Sequence, residues 1–217
     1  MANTLAIQKG KIGLVKKLYQ ERKLTLREVA ENLGVGIDAV VYCMRKNGIK
    51  RRSFKEANAI AFEKKKLSFR ERTNLSEDQQ ELKTIGLILY WAEGYKSELS
   101  HGVDLANSDP IMVKIFMKFL RTIYRIDESR LRILLYCYKN QNIPNLINFW
   151  SKITRIPRNQ FSKPYVREDF KENGRKMQYG MVHVRYADKK LLLSIMESVN
   201  QIKFKCVGTQ VVNEGTL

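Results

Sequence analysis

The chain has 217 residues, of which 44% are hydrophobic and 10% aromatic. This is enough apolar material for one large domain or two smaller ones, so wholesale disorder is excluded. The 40 Lys and Arg residues outnumber the 22 Asp and Glu residues, which gives a net charge of +18. Such an excess of positive charge fits a polyanionic partner, either nucleic acid or an acidic membrane surface.

Two features argue against a membrane partner. The longest uncharged apolar run, Ile85–Ala92, is far too short to cross a bilayer, and the N-terminal segment lacks the apolar core of a signal peptide. The three cysteines, Cys43, Cys137 and Cys206, lie far apart without the spacing of a metal site, which favours reduced thiols. We therefore expect a cytoplasmic protein that has no membrane partner.

The first clear motif along the chain is Leu26–Arg45. Ala30 is a small residue at the point where two helices would cross, and Gly34 stands where a tight turn needs a left-handed residue. Thr25 and Glu28 form the S/T-x-x-E capping box that begins a helix. Apolar residues recur at spacings that fill the wedge between two such helices: Val29, Leu33, Val35, Val40 and Cys43. The pattern predicts a helix-turn-helix motif of the DNA-binding type.

Helical periodicity leaves one side of the second helix facing outward, where a recognition helix meets base edges. We expect Arg45 to donate to guanine or phosphate, Tyr42 to donate to phosphate, and Ile37 and Val41 to contact thymine methyl groups. Asp38 could accept from cytosine or favour the helix N-terminus. Four basic residues follow as predicted phosphate contacts: Lys46, Lys50, Arg51 and Arg52. A protein-binding helix is the alternative for this surface.

Composition divides the chain into four parts. Residues 1–52 form the predicted helical domain, 53–80 a basic linker that could be helical in part, 81–203 an α+β domain, and 204–217 a tail. In the third part, apolar spacing predicts helices at Leu82–Glu93 and Ile143–Ile153, one beginning at Pro110 and one capped by Asp188. Strands are predicted at Val103–Asn107, Arg130–Tyr138, Gln160–Val166 and Met177–Tyr186, with a polar loop at Arg167–Lys176.

Strand alternation predicts that basic and aromatic side chains share one face of the sheet. The residues expected on that face are Arg130, Arg132, Tyr136, Tyr138, Lys163, Tyr165, Arg167, Met181, His183 and Arg185. A duplex could bind to such a face, although any half-exposed sheet has the same alternation. His183 is distant in sequence from His101 and has no neighbouring cysteine cluster, so we expect no zinc site.

A second motif, GLILYWAEG at Gly86–Gly94, ends an apolar helix with an acidic residue and a glycine. With the downstream segments VDLANSDP and INFWSKITRIP, it resembles the LAGLIDADG homing-endonuclease superfamily, in particular single-motif members fused to a helix-turn-helix. Four residues match the end of the family motif: Leu89, Ala92, Glu93 and Gly94. The resemblance covers roughly residues 81–203 and implies a saddle-shaped sheet that faces DNA. One motif per chain implies a homodimer.

In that family the acidic residue at the helix end holds a divalent metal at the scissile phosphates. The resemblance therefore implies that Glu93 is the one catalytic and metal-binding candidate, with Mg²⁺ as the ion, if the protein cuts DNA. Bacterial regulators that pair this fold with a helix-turn-helix without cleavage favour binding alone, which requires no cofactor. Three hypotheses stay open: a sequence-specific binder of double-stranded DNA of transcription-regulator type, a Mg²⁺-dependent endonuclease, and an RNA or architectural binder.

Other chemistry has no support in the sequence. The phosphate-binding loop G-x-x-x-x-G-K-[ST], the dinucleotide motif G-x-G-x-x-G and the hydrolase motif G-x-S-x-G are all missing. No small-molecule substrate is therefore indicated. The predicted fold class is α+β, with a small all-α helix-turn-helix domain followed by a LAGLIDADG-like saddle domain.

Overall fold

A computed structural model of the chain describes residues 7–168 and 177–207. It consists of two compact units, Met1–Lys66 and Leu67–Leu217. Among the described residues, helices occur in both units and a four-stranded sheet lies in the second, so the predicted α+β class is confirmed. Most of the loop predicted at Arg167–Lys176 and most of the tail predicted at 204–217 lie outside the described residues.

The first unit is helical. Its helices are α1 (Ile12–Lys16, continued by a π-type segment over Lys17–Glu21), α2 (Leu26–Leu33), α3 (Ile37–Lys46) and α4 (Phe54–Lys64). Glu28 N donates to Thr25 Oγ1 at 3.1 Å and Thr25 N donates to Glu28 Oε2 at 2.6 Å, so the predicted capping box forms. Gly34 ends α2 with a φ of +66°, which a residue with a Cβ adopts only under strain. The tight turn between α2 and α3 thus depends on this glycine.

The core of the first unit is a small apolar cluster. It contains Val15, Leu18, Tyr19, Val29, Ala30, Val40, Cys43, Met44 and Ile49, all buried. Each helix from α1 to α3 supplies part of it, because each has apolar residues at a spacing of three and four. The predicted inward positions of the Leu26–Arg45 motif are therefore inward in the structure, with Leu33 and Val35 packed at the margin.

The segment predicted as a basic linker, residues 53–80, is not one solvated segment. Its first part is α4 (Phe54–Lys64), within the first unit. Its middle part is bonded to the second unit, since Arg70 N donates to Tyr124 O at 2.9 Å and Arg72 N donates to Ile123 O at 2.8 Å. Its last residues already belong to a helix. Sparse apolar residues concealed this docking, because it uses backbone groups, which every sequence carries, and only two apolar side chains packed against the core, Phe69 and Leu75.

In the part of the second unit that the structure describes, four helices pack with one sheet. Its helices are α5 (Glu77–Glu93), α6 (Pro110–Ile123), α7 (Ile143–Thr154) and α8 (Lys189–Val207), and its strands are β1 (Val103–Asn107), β2 (Leu131–Tyr138), β3 (Tyr165–Arg167) and β4 (Met181–Tyr186). The strand order is β1-β4-β2-β3, with β4 antiparallel to both β1 and β2 and with β3 parallel to β2. Asp188 caps α8 as predicted, because its Oδ1 accepts from Lys190 N at 2.8 Å.

Alternate residues of the three longer strands form the core with the helices. Those buried on the helix-covered face are Val103, Leu105, Leu131, Ile133, Leu135, Cys137, Val182, Val184 and Tyr186. Helices α5 and α6 approach closely at Gly86, where an added Cβ would lie 2.2 Å from Phe119 Cγ. The residues between the buried ones form the opposite face, here called the open face of the sheet.

Three predicted strands were wrong in their bounds, and the one predicted from Met177 begins only at Met181. The strand predicted from Arg130 begins at Leu131, because Arg130 closes a 3-10 turn over Glu128–Arg130. In place of the strand predicted at Gln160–Val166, the chain has a 3-10 turn at Arg158–Gln160 and the short strand β3. Pro164 precedes β3 and has no N–H to donate to a neighbouring strand, which is a physical reason for the late start.

Within the described ranges, we find no helix whose length and apolar character would let it cross a bilayer. The thiols of Cys43 and Cys137 are buried and that of Cys206 is exposed, and all three are free.

Candidate nucleic-acid interface

Helix α3 presents a mixed polar and apolar face to solvent. Asp38, Arg45 and Lys46 are exposed, Ile37 is partly exposed, and Tyr42 is 54% exposed. Val41 is only half-buried, whereas Val40, Cys43 and Met44 are buried in the core. The helix thus keeps its charged and aromatic side chains outside because its apolar residues occupy the opposite side.

Three of these side chains are grouped. The Arg45 guanidinium lies 5.7 Å and the Lys46 ammonium 5.9 Å from the centre of the Tyr42 ring. A cation near an aromatic face gains a modest electrostatic attraction, which restricts the freedom of two long side chains. The Tyr42 ring therefore holds two cations close together on one exposed side of α3.

The basic residues after α3 have unequal environments. Lys50 and Arg51 are exposed, as a phosphate contact requires. The Arg52 guanidinium instead lies 4.0 Å above the Tyr19 ring and donates from Nη1 to Leu24 O at 2.9 Å. Arg52 is therefore a bracing group of the first unit, and we do not retain it as a phosphate contact.

On the open face of the sheet, one carboxylate links two basic side chains. Asp104 on β1 accepts from Arg185 Nε at 2.8 Å through Oδ2, and its Oδ1 lies 2.8 Å from His183 Nδ1. Strand pairing places Asp104 directly opposite Arg185, while His183 lies two positions earlier on β4, opposite Ala106. Sheet register thus brings Asp104 beside two residues of β4 that follow it by 79 and 81 residues in the sequence.

The environment of Asp104 favours its charged form. Burial alone would raise the pKa of this carboxyl, but the bonds and charges of His183 and Arg185 outweigh burial and lower the pKa below the ordinary aspartate value. The side chain is only 19% exposed. A carboxylate held in this way orients the two basic groups rather than binding a further cation.

Beside this triad lies a row of three rings. The Tyr136 ring centre is 4.8 Å from that of His183 and 4.9 Å from that of Tyr165, with interplanar angles of 33° and 42°. The three rings come from β4, β2 and β3, three adjacent strands. We call them the ring row. Tyr165 ends it on the edge strand and is 55% exposed.

Arg132 lies directly opposite Arg185 on the open face. It is exposed, and its Nη1 donates to Ser129 O at 2.7 Å. The predicted site residue Arg130 lies elsewhere: its guanidinium bonds to the Ala187 carbonyl and lies 5.7 Å from the Tyr186 ring. The structure therefore brings Arg132, Tyr136, His183 and Arg185 together on one face, and not Arg130.

Glu93 is the last residue of α5 and is exposed. A metal site at Glu93 would need a second carboxylate, and Asp104 and Asp109 both have other partners. Asp104 bonds to His183 and Arg185. Asp109 Oδ1 caps α6 by accepting from Ile111 N at 2.7 Å. In the part of the chain that the structure describes, no group of three His, Cys, Asp or Glu residues could hold a metal ion.

The outward side of α5 is apolar. Ile85, Ile88 and Trp91 are between 41% and 47% exposed, and Ala92 beside them is also exposed. We call these four residues the α5 stripe. Each residue of an α-helix advances about 100°, so Glu93 points about 140° away from Ile88.

No protein-family model, curated protein or solved structure matches the chain.

The role of Asp104 on the open face was not predicted from the sequence. The alternation of Val103, Asp104 and Leu105 could have placed this carboxylate outside the core. Its pairing with β4 depends on a contact across 79 residues of sequence, which no local pattern encodes.

Proposed function

We propose that this protein binds double-stranded DNA sequence-specifically, as a cytoplasmic regulator of transcription with α3 as its recognition helix. The observation that carries the proposal is the exposed grouping of Tyr42, Arg45 and Lys46 on α3, which follows the tight turn at Gly34. Arg45 can donate two parallel bonds to guanine, and the neighbouring cations suit phosphates. The net charge of +18 supports a polyanionic partner.

The second unit would add contacts of its own. In this proposal it is a LAGLIDADG-like domain whose open sheet face offers Arg132, Arg185 and His183 to the nucleic acid. The α5 stripe supports a homodimer, because exposed aliphatic side chains in a row along a helix gain free energy when a second copy covers them.

Binding is favoured over cleavage by the position of Glu93. The α5 stripe and Glu93 lie on different sides of the helix, so pairing through the stripe does not by itself oppose two Glu93 carboxylates. Ile88 also stands where the LAGLIDADG motif usually has a glycine, so two α5 helices paired through the stripe would lie farther apart than the paired helices of that family. A Mg²⁺-dependent nuclease would need both carboxylates near the same scissile phosphates.

The test is to incubate the protein with a random duplex library in Mg²⁺, recover bound DNA and sequence it with its ends. We expect enriched, intact sites that share a sequence. Enriched sites with a fixed break, lost in EDTA and with Glu93→Ala, would show a nuclease instead. Recovery without any shared sequence would contradict sequence-specific binding.

A further inference from the structure

The ring row has a geometry that duplex binding does not use. Its rings lie about one strand spacing apart on adjacent strands of one open face. In a paired duplex, base faces are covered by neighbouring bases, so an aromatic ring can stack only on a base that is unpaired or turned out. A row of rings on a sheet is therefore suited to single-stranded nucleic acid.

We propose that the open face of the sheet binds an unpaired stretch of nucleic acid, with a base stacked on Tyr165 at the end of the ring row. Tyr165 is the only ring of the three on an edge strand, and it stays 55% exposed although Tyr136 packs against it. A stacked base would extend the row beyond the sheet edge. Tyr136 and His183 would hold the Tyr165 ring in place from behind.

The charges next to the row supply the phosphate contact. Arg132 and Arg185 are directly opposite each other on neighbouring strands, and Asp104 bonds to Arg185. Two like charges opposite each other repel, so an added phosphate stabilises them. Because Asp104 bonds to Arg185 and not to Arg132, it offsets only one of the two cations, and positive charge remains beside the rings. The combination of rings and cations favours a nucleic acid over an uncharged ligand.

Arg45 and Tyr165 belong to different units, and Tyr165 is not among the proposed duplex contacts, so variants at these two residues test the two proposals separately. The probes are fluorescein-labelled dT12 and U12 strands and a duplex selected by the full chain, each titrated by fluorescence anisotropy. We expect Tyr165→Ala to weaken binding of the single strands by about five- to 100-fold. We expect it to leave duplex affinity within about twofold. Arg45→Ala should do the reverse.

Two further variants separate stacking from a structural effect. Tyr165→Phe keeps the ring and should retain single-strand affinity, whereas Tyr165→Leu keeps bulk without a π face and should lose it. Tyr165→Trp should show quenching of tryptophan fluorescence when dT12 or U12 is added, because the base would stack on the indole. Thermal melting of each variant should match the parent, since the residue is exposed on a short edge strand.

Binding of dT12 and U12 alike supports recognition of base and phosphate, and a preference for U12 supports an added contact to the 2′-hydroxyl. Either result requires the loss in Tyr165→Ala. The proposal is overturned if neither strand binds, or if Tyr165→Ala and Tyr165→Leu bind as tightly as Tyr165→Phe.

Discussion

Asp104 on β1 and His183 on β4 lie 79 residues apart in sequence, yet Asp104 Oδ1 is 2.8 Å from His183 Nδ1. The same carboxylate accepts from Arg185 Nε at 2.8 Å. This link fixes the orientation of two basic side chains on the open face and joins the edge strand β1 to the strand beside it. Because the link depends on a charged carboxylate, its contribution to the stability of the fold should depend on pH.

Asp104→Asn should lower the free energy of unfolding by about 1.5–3 kcal/mol at neutral pH, since hydrogen bonds to charged groups stabilise by about this amount. The pKa of Asp104 is lowered in the folded chain. Its contribution is therefore fully present above the unfolded value of about 3.9 and is lost as the pH falls through the folded pKa. Urea unfolding between pH 3 and pH 7 measures this.

The difference between parent and variant should shrink below about pH 4. Glu98→Gln alters an exposed carboxylate and is the matched control, for which we expect no change. A difference that stays constant down to pH 3 would show that the Asp104 charge does not stabilise the fold.

Arg45 and Arg52 allow binding to be separated from stability within one unit. Arg45→Ala should weaken binding to the selected duplex by about five- to 100-fold, because a bidentate contact to guanine discriminates by about 1–3 kcal/mol. Its melting temperature should not change, since the side chain is exposed. Arg52→Ala should lower the melting temperature, because it removes the contacts to Tyr19 and Leu24 O. If Arg45→Ala lowered the melting temperature and Arg52→Ala weakened duplex binding, Arg45 would be the stabilising residue and Arg52 the DNA contact.

Salt dependence tests the phosphate contacts. Each neutralised phosphate contributes about 0.9 to the slope of log affinity against log salt concentration. The double change Lys50→Ala and Arg51→Ala should therefore reduce the steepness for duplex binding by about 2. Lys118 on α6 is an exposed lysine of the second unit, and Lys118→Ala is the control expected to leave the slope unchanged. A parent slope near zero would count against any phosphate contact.

The α5 stripe predicts the oligomeric state. Ile88→Asp places a charge in the middle of the stripe and should convert a dimer to a monomer by light scattering, without loss of helical signal. Gly86→Ala acts on the opposite side of the same helix, where the new Cβ would clash with Phe119. That variant should lose about 1–3 kcal/mol of stability, as overpacked cores do. A monomeric parent protein would refute the dimer.

Patterns within short stretches of the sequence were sufficient to predict several elements of the fold. The Thr25–Glu28 capping box, the Gly34 turn and the alternation along β2 and β4 were all confirmed. Each depends on residues within a few positions of one another. The parity that put Tyr136, His183 and Arg185 outside the core was likewise correct.

What escaped prediction depends on distant contacts or on backbone groups. Arg52 is a basic residue of the kind that contacts phosphate. Only its position over the Tyr19 ring shows that it stabilises the first unit. The ring row depends on β4, β2 and β3 lying side by side in the sheet. The β2–β3 pair is parallel, so no hairpin pattern in the sequence indicates it. Arg130 missed the strand by one residue, and that shift removed it from the open face.

The docking of residues 68–72 sets the limits of any separable fragment. Ser68 O accepts from the Tyr186 hydroxyl at 2.6 Å. The backbone N–H groups of Arg70 and Arg72 donate to Tyr124 O and Ile123 O at the end of α6. A fragment that begins at residue 81, where the apolar pattern begins, would lose these bonds and the first four residues of α5, Glu77–Gln80. The smallest fragment of the second unit expected to fold alone begins at Leu67. Residues 68–72, which have the composition of a spacer, are thus an outer layer of the domain that follows them.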